Sequence, residues 1–109
     1  MPRHRLDFDP PNEAELYVEF GWGPFLGYWA ELRSPGRSKP LAEYGSIHLG
    51  YRHDAPLLGV LLWLGQIGAL DATGLHEALA ASGSPEPVRL SKQGRRALDV
   101  IETLKREAD

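Results

Sequence analysis

The chain has 109 residues, 42% of them apolar and 25% charged, with a formal net charge of −3. That balance fits one folded domain and excludes a disordered chain. It also excludes wholesale electrostatic capture of nucleic acid, while leaving room for a local basic patch. Cysteine is absent, which removes disulfides, thiolate nucleophiles and sulfur-rich zinc sites together.

Residues 1–13 read as an N-terminal arm ahead of a single domain over 14–109. Pro10-Pro11 forbids helix and donates no backbone hydrogen bond. Just before it, Leu6 and Phe8 alternate with Asp7 and Asp9, a pattern that suits a short edge strand. The basic start runs into acid and proline, so no signal peptide is expected. The longest apolar stretch is too short to span a bilayer, so we expect a cytoplasmic protein with no membrane partner.

Residues 14–33 predict a β-hairpin. Leu16, Val18 and Phe20 alternate with Glu15, Tyr17 and Glu19, the period of a strand buried on one face. Gly21-Trp22-Gly23-Pro24 supplies turn chemistry. Leu26, Tyr28, Ala30 and Leu32 then alternate with Gly27, Trp29, Glu31 and Arg33. A register pairing Val18 with Tyr28 and Leu16 with Ala30 puts both aliphatic rows on one face. Phe25 and Trp29 then share the opposite face, with Trp22 in the turn.

A turn-rich loop over 34–40 precedes a third strand at about 41–52, with a bend at Gly45 where the alternation changes phase. Residues 54–70, DAPLLGVLLWLGQIGAL, predict a helix over 55–69 that is apolar nearly all round, capped by Asp54. Such a helix needs enclosure by its own domain or by a partner, and it is expected to be the central packing element. Asp71 or Thr73 caps a second helix at 74–82, stopped by Gly83. Val88-Arg89-Leu90 predicts a short strand, and Ser91 caps a final helix over 92–107. There Ala97, Leu98, Ile101, Leu104 and Ala108 form one stripe. The predicted fold is α+β: an antiparallel three-stranded β-meander packed on the central hydrophobic helix, two further helices, and a short strand before the last.

Little in the sequence carries specific chemistry. His48, His53 and Asp54 lie close in sequence with Glu43 nearby, residue types that can bind zinc or iron, but their spacing matches no ligand signature. His76 and Glu77 open the second helix without a nucleophile elbow, a phosphate loop or a paired carboxylate. The expectation is therefore no enzyme, no metal and no cofactor, with a small metal-dependent hydrolase built on His48 and His53 as the least favoured reading.

Two segments bear a family likeness. PVRLSKQGRRALDVIETL, residues 87–104, resembles the last wing strand and final helix of winged-helix regulators. That resemblance implies DNA contacts by Arg89, Lys92, Arg95 and Arg96. The place of a recognition helix, 74–82, however, carries no Arg or Lys, so donors for bases and phosphates are missing there. VEFGWGPFLGYWAEL, residues 18–32, resembles small uncharacterised bacterial proteins with a GWDPPL-type hairpin, although Gly23 stands where Asp is the rule. That resemblance implies a small β-then-α fold and no known activity.

Turns are usually polar and aromatics concentrate at interface hot spots. We therefore expect a non-enzymatic protein that binds another protein through Trp22, Phe25, Trp29 and Tyr17, as an inhibitor or accessory factor of the kind found in bacteria and on mobile elements. A second copy of the chain is one candidate partner, and DNA is the runner-up.

Overall fold

A computed structural model describes residues 3–45, 56–86 and 88–108. Among these residues four strands form one antiparallel sheet in the order β1-β2-β3-β4: β1 His4–Asp7, β2 Tyr17–Gly23, β3 Gly27–Arg33 and β4 Ala42–Gly45. Three helices follow: α1 Leu57–Gln66, α2 Ala72–Ser82 and α3 Lys92–Ala108. The fold class is α+β. Principal extents of 41 × 35 × 21 Å fit two layers in the thinnest direction, a sheet and a layer of helices.

The sheet has one strand more than expected, because the segment read as an arm supplies it. Leu6 faces Val18 and His4 faces Phe20, so β1 is an edge strand of the domain itself. The predicted third strand is seen as β4, and its continuation beyond Gly45 lies outside the described residues. The strand expected at Val88–Leu90 is not formed; those residues are a connection into α3.

The hairpin register differs from the expected one. Val18 pairs with Leu32, Phe20 with Ala30, Trp22 with Tyr28 and Gly23 with Gly27. Gly21 and Gly23 are strand residues, and the loop is only Pro24-Phe25-Leu26. Gly27 closes it at φ 74°, the left-handed position that a short hairpin loop reserves for glycine. The predicted and observed registers differ by an even number of residues, so the faces are unchanged. Val18, Phe20 and Ala30 point inward and Trp29 points outward.

The core forms between this inward face and the helices. Leu6, Val18, Phe20 and Ala30 meet Val60, Leu61 and Leu64 of α1, Leu75 and Ala78 of α2, and Ala97, Val100, Ile101 and Leu104 of α3. The α3 stripe follows the predicted spacing, with Val100 buried and Leu98 only partly so. Asp71 caps α2 by accepting from Gly74 N at 3.0 Å, and Ser91 Oγ caps α3 by accepting from Gly94 N at 3.1 Å.

α1 is not the enclosed centre that its composition predicts. Val60, Leu61 and Leu64 are fully buried, yet Leu58 and Leu62, one turn apart, are 50% and 53% exposed. Its N-cap is Pro56, with no side-chain cap; the Asp54 expected there lies outside the described residues. Its C-terminus is a Schellman motif. Ala69 N donates to Leu64 O at 2.9 Å and Gly68 N to Gly65 O at 3.1 Å, with Gly68 at φ 81°. A Cβ on Gly68 would meet nothing within 4 Å, so the cost of alanine there is purely conformational. Gly68→Ala is expected to lower stability by about 1 kcal/mol, read as a shifted urea midpoint at unchanged slope.

Candidate partner-binding surface

Alternation along the strands decides what the outer side of the sheet carries. It bears Arg3, Arg5 and Asp7 beside and along β1, Tyr17 and Glu19 on β2, Trp29, Glu31 and Arg33 on β3, and Glu43 on β4. Across the strands Glu19 faces Glu31, and Glu31 faces Glu43. Like charges directly opposed on neighbouring strands are unfavourable, and arginines are what hold them together.

Arg33 lies within 3.0 Å of Glu19 and 2.5 Å of Glu31. Its Nε sits at ion-pair distance from Glu19 but is not aligned for a hydrogen bond. Arg3 reaches both carboxylates from the other side, at 3.1 and 3.3 Å. Partial burial works to lower the Arg3 pKa, and the hydrogen bonds and charges of Glu19 and Glu31 outweigh it and raise the value above its ordinary level. Arg3 therefore keeps its charge, and its pairing contribution, at neutral pH; that contribution fades only in strong alkali. Because Arg3 is half exposed, the contribution of these pairs is more to orientation than to stability.

The same arginine stacks on Trp29, with its guanidinium carbon 4.8 Å from the ring centroid. Arg5 lies over Tyr17 at 4.0 Å. Both are cation–π distances. Trp29 has glycine on each side: Gly21 is its partner on β2 and Gly45 on β4. No side chain rises beside the indole from either neighbour. A Cβ on Gly45 would come within 3.3 Å of Trp29 Cβ, so this bed belongs to glycine.

The four aromatics expected to act together do not share one surface. Trp29 and Tyr17 lie on the outer face. Phe25 is at the hairpin tip and 79% exposed. Trp22 is a correction: it is a strand residue, not a turn residue, and it pairs with Tyr28 on the core side of the sheet. The extra strand length given by Gly21 and Gly23 carries it there. The sequence reading missed Arg3, Arg33, Glu19 and Glu31. The signal was available, because Glu19, Glu31 and Arg33 have the parity of Trp29.

The four basic residues at and just before the start of the last helix divide. Arg89 and Arg95 are exposed, and Lys92 pairs with Asp9 at 3.1 Å while remaining largely exposed. Arg96 points inward and donates to the Asp7 and Ala69 carbonyls at 2.6 and 3.2 Å. His76 is exposed on α2, while Glu77 accepts from Ser91 Oγ at 2.6 Å. His48, His53 and Asp54 lie outside the described residues. Among the described residues, no group of three or more His, Cys, Asp or Glu side chains is placed to hold a metal ion, and no helix is long and apolar enough to cross a membrane.

The chain matches no family model, no curated protein and no solved structure.

Proposed function

We propose that this is a non-enzymatic protein that binds another protein through the outer face of its sheet, in the manner of an inhibitor or accessory factor. The observation that carries the reading is Trp29, lying on a glycine bed under the Arg3 guanidinium. Trp, Tyr and Arg are the residues richest in binding energy at protein interfaces. Here one of each type is fixed in place before any partner arrives: Arg3 by two glutamates, Trp29 by Arg3, Tyr17 by Arg5. A face ordered in advance loses little side-chain entropy on binding. Phe25 extends the surface at the hairpin tip.

The test is affinity capture from the native host with wild-type chain and with Trp29→Ala and Phe25→Ala chains, each checked for native circular dichroism. A partner held by the wild type should bind the Trp29→Ala chain on the order of thirtyfold more weakly, the effect of losing one hot spot. Phe25→Ala should weaken it less. A folded Trp29→Ala chain that retains every wild-type partner at full affinity would overturn the proposal.

A further inference from the structure

We propose that β1 pairs with β1 of a second copy of this chain, antiparallel about a two-fold axis at Leu6, joining the two sheets into one. The inference rests on the edge strand; of its residues, Arg5 also holds Tyr17 on the proposed binding face, so the Asp7 variant is the one that leaves that face untouched.

Among the described residues β1 has one neighbour, β2, and its other edge is unpaired within the sheet. Exposed edges invite strand addition unless something blocks them. Here the order of side chains is self-complementary. Residues 3–9 read Arg-His-Arg-Leu-Asp-Phe-Asp. The outward row is Arg3, Arg5 and Asp7, cations before Leu6 and an anion after it; Asp9, past the end of the strand, turns to Lys92 and Gln93 of α3. The inward row is His4, Leu6 and Phe8, centred on Leu6. Antiparallel pairing about Leu6 sets Arg5 opposite Asp7 of the second copy, and Asp7 opposite its Arg5. On the inward side it sets Leu6 against Leu6 and His4 against Phe8.

Other registers are worse for stated reasons. A slip of one residue sets inward against outward side chains and breaks the shared face. A slip of two puts Arg5 opposite Arg5, or Asp7 opposite Asp7, at the centre of the pair. Only the register about Leu6 satisfies the charges and the pleat together.

The space beside the edge is open. A groove of about 480 Å³ runs between β1 and α3, walled by Arg96, Asp99 and Thr103 and floored by Phe20 and Val100. It leaves room for the apolar inward residues of the incoming strand. Four contacts bear on the incoming strand: His4 pairs with Glu107 of α3 at 2.8 Å, Arg5 lies over Tyr17 at 4.0 Å, and two more involve Asp7. Arg5 and Asp7 now pair with each other at 2.9 Å and are both well exposed, so each exchanges one opposite charge for another. The Asp7 carbonyl accepts from Arg96 and keeps a second lone pair for a strand donor.

The test is sedimentation equilibrium of the full chain, wild type and variants. The wild type should associate to a dimer. Arg5→Asp and Asp7→Arg each turn two attractive pairs into two repulsive ones and should weaken the dimer about tenfold or more. The double exchange, Arg5→Asp with Asp7→Arg, restores both pairs and should recover wild-type affinity. Circular dichroism confirms that each chain is folded. As a second measurement, Leu6→Cys in this cysteine-free chain should oxidise to a covalent dimer, because directly opposed strand residues lie about 4.5–5.5 Å apart at Cα. A monomeric wild type, a dimer indifferent to both single reversals, or a folded double exchange that stays dissociated would each overturn the proposal. A dimer abolished instead by Leu58→Lys would assign the contact to the apolar stripe of α1 and overturn it equally.

Discussion

Gly74→Ala is expected to destabilise the protein by about 2–3 kcal/mol, although glycine to alanine inside a helix ordinarily stabilises by about 1 kcal/mol. Gly74 lies in the first turn of α2, where that helix presses on α3. A Cβ there would sit 2.6 Å from the Gln93 carbonyl carbon and 2.7 Å from its oxygen. These are backbone atoms at the start of α3, and they move only if the helix moves. Two other glycines give the contrast. At Gly65 a Cβ would find Leu75 Cδ2 at 3.9 Å, ordinary van der Waals contact, so Gly65→Ala should raise stability by up to about 1 kcal/mol. At Gly94 the nearest atoms belong to the Glu77 side chain, which can swing away at the cost of its bonds to Ser91 N and Oγ. Gly94→Ala should fall between the two. Urea titration of the three variants gives the order directly. A Gly74→Ala chain as stable as the wild type would mean that α2 and α3 do not approach this closely.

What could be read from the sequence divides along physical lines. Faces were legible, because side-chain direction in a strand depends only on parity. Trp29 was placed outward and Val18 inward from a hairpin register that was itself off by several residues. Loop length was not legible, because Gly21 and Gly23 are as well suited to a turn as to a strand, and only the register shows that Gly21 lies beside Trp29. Caps at Asp71 and Ser91 were legible because they are local. The exposure of Leu58 and Leu62 was not, since composition says that a helix is apolar but not how many sides a small domain can cover. The Arg3–Glu19–Glu31–Arg33 cluster assembles from β2, β3 and the residue just before β1. Its members were individually visible, but the ladder that joins them depends on the register.

Arg96 gives the other large effect, and it also separates the two binding readings. Its guanidinium ties three parts of the chain: the end of β1 through the Asp7 carbonyl, the connection between α1 and α2 through the Ala69 carbonyl, and α3, from which it projects. Among the described residues its buried Nε finds no hydrogen-bond partner, so the side chain already bears some desolvation cost that its two bonds offset. Arg96→Met keeps most of the aliphatic stem and removes both bonds. Two carbonyls then lose a charged donor, and hydrogen bonds to charged groups contribute about 1.5–3 kcal/mol each. Because water reaches part of this half-buried site, the expected loss is about 2–4 kcal/mol, measured as a shift in urea midpoint. Arg96→Lys should recover less than half, since one ammonium cannot reproduce the span of a guanidinium. A loss below about 0.5 kcal/mol for Arg96→Met would show that the bonds do not hold in solution. The same geometry governs how DNA binding is to be examined. An Arg95/Arg96 double alanine chain would confound a lost phosphate contact with lost stability. Arg89 and Arg95 are exposed, so a charge-removing pair at those two positions leaves the fold intact and isolates any phosphate contact. If the winged-helix likeness carries a function, that pair should weaken duplex binding and flatten its salt dependence. If the chain acts through Trp29, the same pair should leave partner capture unchanged.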